Sequence, residues 1–163
     1  MDFYQTAIDI EQLVEDDYRA LADHCSTNIG IKNILTMLAD DHEKHRSAFI
    51  HMKKEEDIAL IPDIGVFKKA KEIFSEIKKK QEPYTCDIDQ VKLYEKAREL
   101  VRNKISLYTD AMNGLKNEPQ KKILQSIITE EMKQEKVLDN IIEMVNRPNT
   151  WLEDAEFYHL DEY

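Results

Sequence analysis

The sequence predicts an all-α protein, an antiparallel four-helix bundle built from two helical hairpins. Four long stretches repeat apolar residues at the spacing of one helix face. The 163 residues include only 3 Gly and 4 Pro, which both destabilise helix interiors. One long connection separates the second stretch from the third, so the chain divides into two hairpins joined by a crossover. This length is enough for one domain with a sizeable core.

The four long helices are predicted at residues 3–24, 29–54, 90–116 and 119–146. The third ends near Gly114, and Pro119 suits the first turn of the fourth because the N–H that it lacks would be unpaired there. Residues 66–77 lie within the crossover and are amphipathic, so we expect a short extra helix rather than a long loop. The lysines at 78–80 then stand at its C-terminus, where the helix dipole favours cations.

The domain boundary is predicted at the end of the fourth helix. We assign residues 1–147 to the bundle and residues 148–163 to an acidic, aromatic C-terminal tail. The tail carries Trp151, Phe157 and Tyr158, and we expect it to dock on the bundle or on a second subunit.

Composition excludes several classes of function. The formal net charge is −10, with 33 acidic and 23 basic residues, so we expect no nucleic-acid partner. No apolar run reaches the length of a membrane span, and the N-terminus has no signal-peptide pattern. Cys25 and Cys86 form no CxxC motif, so no rubredoxin-type iron site is expected. Reduced thiols and a cytoplasmic location are the simplest interpretation.

The two predicted hairpins resemble each other in sequence. Residues 34–49 align with residues 123–138 without a gap, at an offset of 89. The first and third helices align at an offset of 90, which pairs Tyr18 with Tyr108 and Glu11 with Val101. The change of offset falls in the hairpin loops, where length changes are tolerated best. The bundle is therefore expected to have an internal two-fold repeat.

Polar residues at helical spacing mark a candidate metal site in the repeat. His42 and His45 lie three residues apart, so their side chains share one face of the second helix. Glu131 and Gln134 have the same spacing at the aligned positions of the fourth helix. Glu11 would face them from the first helix, whereas the third helix has Val101 at the aligned position.

These motifs resemble those of rubrerythrin-like and other ferritin-like di-iron proteins. Members of that superfamily carry a Glu on each of two helices and Glu-x-x-His on the other two. The Glu on the first helix typically precedes a Tyr by seven residues, as Glu11 precedes Tyr18 here. The resemblance covers about residues 3–54 and 90–146. It implies tyrosines close to the metal, with a hydroxyl available to a ligand carboxylate.

The chain departs from the family pattern at three of six ligand positions. His42 and Val101 stand where the family has Glu, and Gln134 stands where it has His. The predicted metal ligands are Glu11, His42, His45 and Glu131, with Gln134 as a weaker fifth candidate. This set suits one ion better than two: iron is expected, with zinc or manganese as alternatives. Glu15 in place of Glu11, or Glu135 in place of Gln134, remains open.

The resemblance also implies an activity and partners. Rubrerythrin-like proteins reduce peroxide or oxidise ferrous iron, and this chain would need a separate electron donor for such a reaction. A homodimer is expected from the family. The alternative is a non-catalytic structural or interaction bundle that has lost the di-iron centre.

Overall fold

A computed structural model describes residues 2–24, 28–55, 65–80, 89–147 and 151–152. Its five helices are α1 (Phe3–His24), α2 (Ile29–Lys53), α3 (Val66–Lys80), α4 (Asp89–Gly114) and α5 (Glu118–Asn146). These residues contain no strand. The all-α prediction is confirmed, including the short extra helix, and each predicted helix boundary lies within a few residues of the observed one.

The helices pair as the sequence predicts. α1 packs mainly against α2 and α4 packs mainly against α5, which gives two hairpins. α3, in the crossover, lies against α2 and α5. A side chain at Gly30 would place its Cβ 2.7 Å from Cγ2 of Ile73, so glycine permits the close approach of α2 to α3.

Local sequence signals explain where two helices begin. Asn28 precedes α2, and its side-chain oxygen accepts a hydrogen bond from the backbone N–H of Ile31 at 3.0 Å. Asn117 caps α5 in the same way through the N–H of Gln120 at 3.1 Å. Both caps satisfy backbone donors that a helix leaves unpaired at its first turn. The lysines at 78–80 occupy the last turn of α3, as predicted.

The apolar core has two parts with a polar layer between them. One apolar cluster contains Ala7, Phe49 and Ile127, and the other contains Val14, Leu38 and Val137. On each long helix the residues of one cluster are followed by a buried polar position and then by residues of the other cluster. The polar layer therefore crosses all four long helices at one level, and it holds the candidate site.

The first described residues of the tail pack onto the bundle. Trp151 is buried, and its indole N–H donates to Oδ1 of Asn140 at 3.0 Å. Its ring lies edge-on to Phe74 of α3, with 5.9 Å between ring centroids. Residues 153–163, Cys25 and Cys86 lie outside the described residues. None of the described helices has the apolar stretch needed to cross a bilayer.

Candidate metal centre

Four of the predicted ligands meet in the polar layer. Glu11 comes from α1, His42 and His45 from α2, and Glu131 from α5, and all four are fully buried. Each offers one ligand atom, and these four atoms lie within 4.8 Å of one another. Two carboxylates and two imidazoles thus converge from three helices on one small volume.

Lys104 of α4, which is not among the predicted site residues, also reaches this volume. It is 1% exposed, and its Nζ lies 2.6 Å from Oε1 of Glu131 and 2.9 Å from Oε1 of Glu11. The same Nζ lies 2.9 Å from Nδ1 of His42. The ammonium group therefore sits between the two carboxylates, with an imidazole beside it.

The charges of the site adjust the pKa values of its acidic and basic groups. Burial alone would raise the pKa of Glu11, but the nearby Lys104 charge and the contact with His42 hold it well below its usual range. Burial would also raise the pKa of Glu131, but the Lys104 charge lowers it overall. Burial would lower the pKa of Lys104, but the two glutamates raise it above its ordinary value. Lys104 is therefore a full positive charge inside the bundle.

His42 is held at both ring nitrogens. Its Nδ1 faces the centre, 2.6 Å from Oε2 of Glu11, and its Nε2 lies 2.7 Å from Oε1 of Gln134. The amide of Gln134 in turn donates from Nε2 to Oδ2 of the buried Asp41 at 2.6 Å. Because Oε1 of Gln134 can only accept, Nε2 of His42 carries a proton and donates to it. Nδ1 is then the nitrogen that can face a metal ion.

His45 is buried without an aligned hydrogen bond. Its Nδ1 lies 3.3 Å from Oε1 of Glu131 and its Nε2 lies 3.4 Å from Oδ2 of Asp41. Neither nitrogen has a hydrogen-bond partner among the described residues, and neither does Oε2 of Glu131. Burial lowers the pKa of His45, but the surrounding Glu131, Asp41 and Glu11 raise it overall. Such unsatisfied polar atoms are costly unless another group completes the site.

Comparison with known proteins identifies the family of the chain. The family model described as rubrerythrin matches residues 2–142, which is most of the sequence. The chain belongs to the rubrerythrin family. No curated protein and no solved structure matches it.

The di-iron centre implied by the rubrerythrin resemblance does not fit these residues. Val101 belongs to an apolar cluster and offers no carboxylate from α4. Both polar atoms of the Gln134 amide are hydrogen-bonded, one to His42 and the other to Asp41, so Gln134 orients a histidine and does not face the centre. The ammonium of Lys104 adds a positive charge of its own, 2.9 Å from Oε1 of Glu11 and 2.6 Å from Oε1 of Glu131. A single ion at Glu11, His42, His45 and Glu131 matches the donor chemistry that is left.

The two tyrosines related by the internal repeat behave differently. The hydroxyl of Tyr108 donates to Oε1 of Glu11 at 2.6 Å, which is the contact with a ligand carboxylate that the rubrerythrin resemblance implies. Tyr18 stacks on His42 with 5.3 Å between ring centroids. Its buried hydroxyl has no hydrogen-bond partner within the described part of the chain.

The two alternative carboxylates lie outside the centre. Glu15 makes ion pairs with Arg46 of α2 and with Arg19, one turn further along α1. Glu135 pairs with Arg102 at 2.8 Å on the outside of the bundle. Both carboxylates therefore already have cationic partners, and Glu11 is the inward acid of α1.

Lys104 and Asp41 are the two residues of the site that sequence reasoning missed. Lys104 lies three residues after Val101 and four before Tyr108, two positions that the internal repeat assigns to the inward face of α4. Helical spacing alone therefore places it inward. Lysines are almost always exposed, however, so a lysine at an inward position is not expected from the sequence to be buried. Asp41 precedes His42 directly, and nothing in the spacing separates it from an exposed acid.

Proposed function

We propose that this rubrerythrin-family chain binds one divalent transition-metal ion through Glu11, His42, His45 and Glu131. The observation that carries the proposal is the state of His45, which is fully buried beside three other ligand atoms, with no aligned hydrogen bond at either ring nitrogen among the described residues. A bound ion would satisfy one of those nitrogens and the free oxygen of Glu131. The hydrogen bonds from His42 to Gln134 and from Tyr108 to Glu11 would orient two of the ligands.

The donor set suits several metals. Two carboxylates balance the charge of a divalent ion, and two imidazoles add neutral nitrogen donors. Iron(II) is the first candidate because of the family, and manganese(II) and zinc(II) accept the same donors. The identity of the ion therefore depends on its supply as well as on the protein.

The resemblance further implies peroxide reduction or oxidation of ferrous iron. Reduction of hydrogen peroxide to water consumes two electrons, and one iron ion changing from Fe(II) to Fe(III) supplies one. A single ion would have to return to Fe(II) before the next cycle, so both electrons of each turnover would come from a separate electron donor. We therefore propose metal binding as the primary function, with peroxide turnover only when such a donor is present.

The test compares two histidine variants. Wild-type protein is expected to bind one Zn(II) per chain in an isothermal titration, and one Fe(II) per chain under anaerobic conditions. His45→Ala should weaken binding by about 100-fold or more, because loss of a supporting residue alone costs 10–100-fold. His24→Ala is the matched control, since His24 is the exposed last residue of α1 and should leave binding unchanged. Equal metal content in wild type and His45→Ala contradicts the proposed site.

A second candidate function is a metal-free structural bundle. The observation that favours it is Lys104, whose ammonium already neutralises charge at Glu11 and Glu131. Such a protein would fold normally in the presence of a chelator and would bind no ion in the titration above. Absence of binding in correctly folded wild-type protein would support this candidate over the first.

A further inference from the structure

The ammonium of Lys104 and the proposed ion need the same place. Nζ lies 2.6–2.9 Å from one atom each of Glu131, Glu11 and His42. These three residues are also three of the four proposed ligands. A metal ion bound to the facing atoms of these residues would lie very close to Nζ. Two cations cannot lie so close together in a buried site, because their repulsion is strong there. The side chain and the ion are therefore mutually exclusive.

Charge balance gives the lysine a positive role in the metal-free protein. Two buried glutamates without a cation would be strongly destabilising, and isolated carboxylates are seldom buried. Lys104 supplies a cation from within the chain and donates to both carboxylates. Among the described residues no other lysine or arginine is fully buried. α4, the one long helix that contributes no ligand, contributes this cation instead.

We propose that Lys104 is an internal substitute for the metal, which holds the centre together when no ion is bound and must leave it before an ion can bind. This inference rests on the proposed metal-binding function and adds a competition to it. Metal-free protein is then stable, and the apparent affinity for metal is lower than the four donors alone would give, because only molecules with a displaced lysine can bind. Lys104 thus sets the metal concentration at which the site fills.

The test removes the charge and keeps most of the side chain. Lys104→Met is compared with wild type and with Lys96→Met, the same substitution at an exposed position of α4. Two measurements are made on each protein: the melting temperature in excess chelator, and the affinity for Zn(II) by competition with a chromophoric chelator. Co(II) absorption gives a third readout, since it reports the number and type of ligands around the ion without any enzymatic activity.

The expected results differ in sign for the two measurements. Without metal, Lys104→Met should melt about 10 °C below wild type, because two buried carboxylates lose their shared cation. Its affinity for Zn(II) should rise by about tenfold or more, because the competing ammonium is gone. Saturating Zn(II) should restore the melting temperature of the variant. Lys96→Met should match wild type throughout.

Each other outcome decides between the claims. Equal or weaker Zn(II) affinity in Lys104→Met, with binding intact in wild type, overturns the competition and leaves the proposed function standing. Absence of binding in wild type and variant alike overturns the proposed function, while a lower melting temperature of the variant still supports Lys104 as the stabilising cation. An unchanged melting temperature in chelator overturns that stabilising role.

A double variant covers the case in which Lys104→Met does not fold. Lys104→Met combined with Glu131→Gln removes one positive and one negative charge together, so metal-free protein should fold and be more stable than Lys104→Met alone. A double variant that is no more stable than the single one overturns the proposed charge pairing, because the two substitutions would then act independently.

Discussion

The hydroxyls of Tyr108 and Tyr18 provide a sharp test of the polar layer, because the same substitution should lower stability at the first position but not at the second. Both tyrosines are fully buried, and the internal repeat pairs them. The Tyr108 hydroxyl donates to Glu11 at 2.6 Å, whereas the Tyr18 hydroxyl has no hydrogen-bond partner among the described residues. Phenylalanine removes only the hydroxyl in each case.

The magnitudes follow from these contacts. A buried hydrogen bond to a charged group contributes about 1.5–3 kcal/mol, so Tyr108→Phe should lower the free energy of unfolding by roughly that amount. Burying an unsatisfied hydroxyl costs about 1–3 kcal/mol, so Tyr18→Phe should leave stability unchanged or raise it by up to about 1 kcal/mol. The two variants should therefore differ by about 1.5–4 kcal/mol.

Urea unfolding followed by circular dichroism measures this difference. The experiment is done at pH 7 in the presence of a chelator, so that no metal contributes to stability. The slope against urea should be the same for both variants, because neither changes the surface exposed on unfolding. If Tyr108→Phe and Tyr18→Phe have equal midpoints, the hydrogen bond to Glu11 does not contribute as argued, and the arrangement of the polar layer is refuted.

Two further predictions concern the surroundings of the centre. Burial alone would raise the pKa of Glu15, but hydrogen bonds from Arg46 and Arg19 lower it overall. The ionised Glu15 side chain therefore stabilises the fold above its unfolded pKa of about 4.3, and this stabilisation is lost as pH falls through the lower folded value. Glu15→Gln should cost about 1 kcal/mol in urea unfolding at pH 7, and the gap to wild type should close below about pH 4; a gap independent of pH contradicts this. Trp151→Phe should cost about 2 kcal/mol, because Oδ1 of Asn140 loses its donor. In wild type the fluorescence of this single tryptophan should shift to the red on unfolding, and emission already at the solvent-exposed wavelength in folded protein would show that residue 151 is not docked.

The helices could be predicted well because their signals are local. Apolar spacing, the Asn117–Pro119 start of α5 and the lysines at the end of α3 each act within one or two turns. The internal repeat added long-range information, because it aligned Glu131 of α5 with His42 of α2, and Val101 of α4 with Glu11 of α1. Those two acids and both histidines of α2 could therefore be expected to meet, and the structure brings them together.

The partners within the site could not be predicted in the same way. Spacing shows which face of α4 Lys104 occupies, but not that its long side chain ends between two carboxylates of other helices. The role of Gln134 depends on the rotamer of His42 and on Asp41, which belong to a different hairpin. Such choices follow from packing in three dimensions, and a list of ligand positions does not contain them.

The position of the polar layer has a consequence for how the two hairpins find each other. Lys104 and Glu131 belong to the second hairpin, whereas Glu11 and His42 belong to the first, so the contacts of Lys104 with the first hairpin span 62 residues or more of sequence. Apolar faces would tolerate a slip of one helical turn, about 5.4 Å along the axis. The same slip would pull Nζ of Lys104 from Glu11 and leave both charges in apolar surroundings. The buried charges thus select one register of the two hairpins, because this alignment is far more stable than alignments shifted by one helical turn.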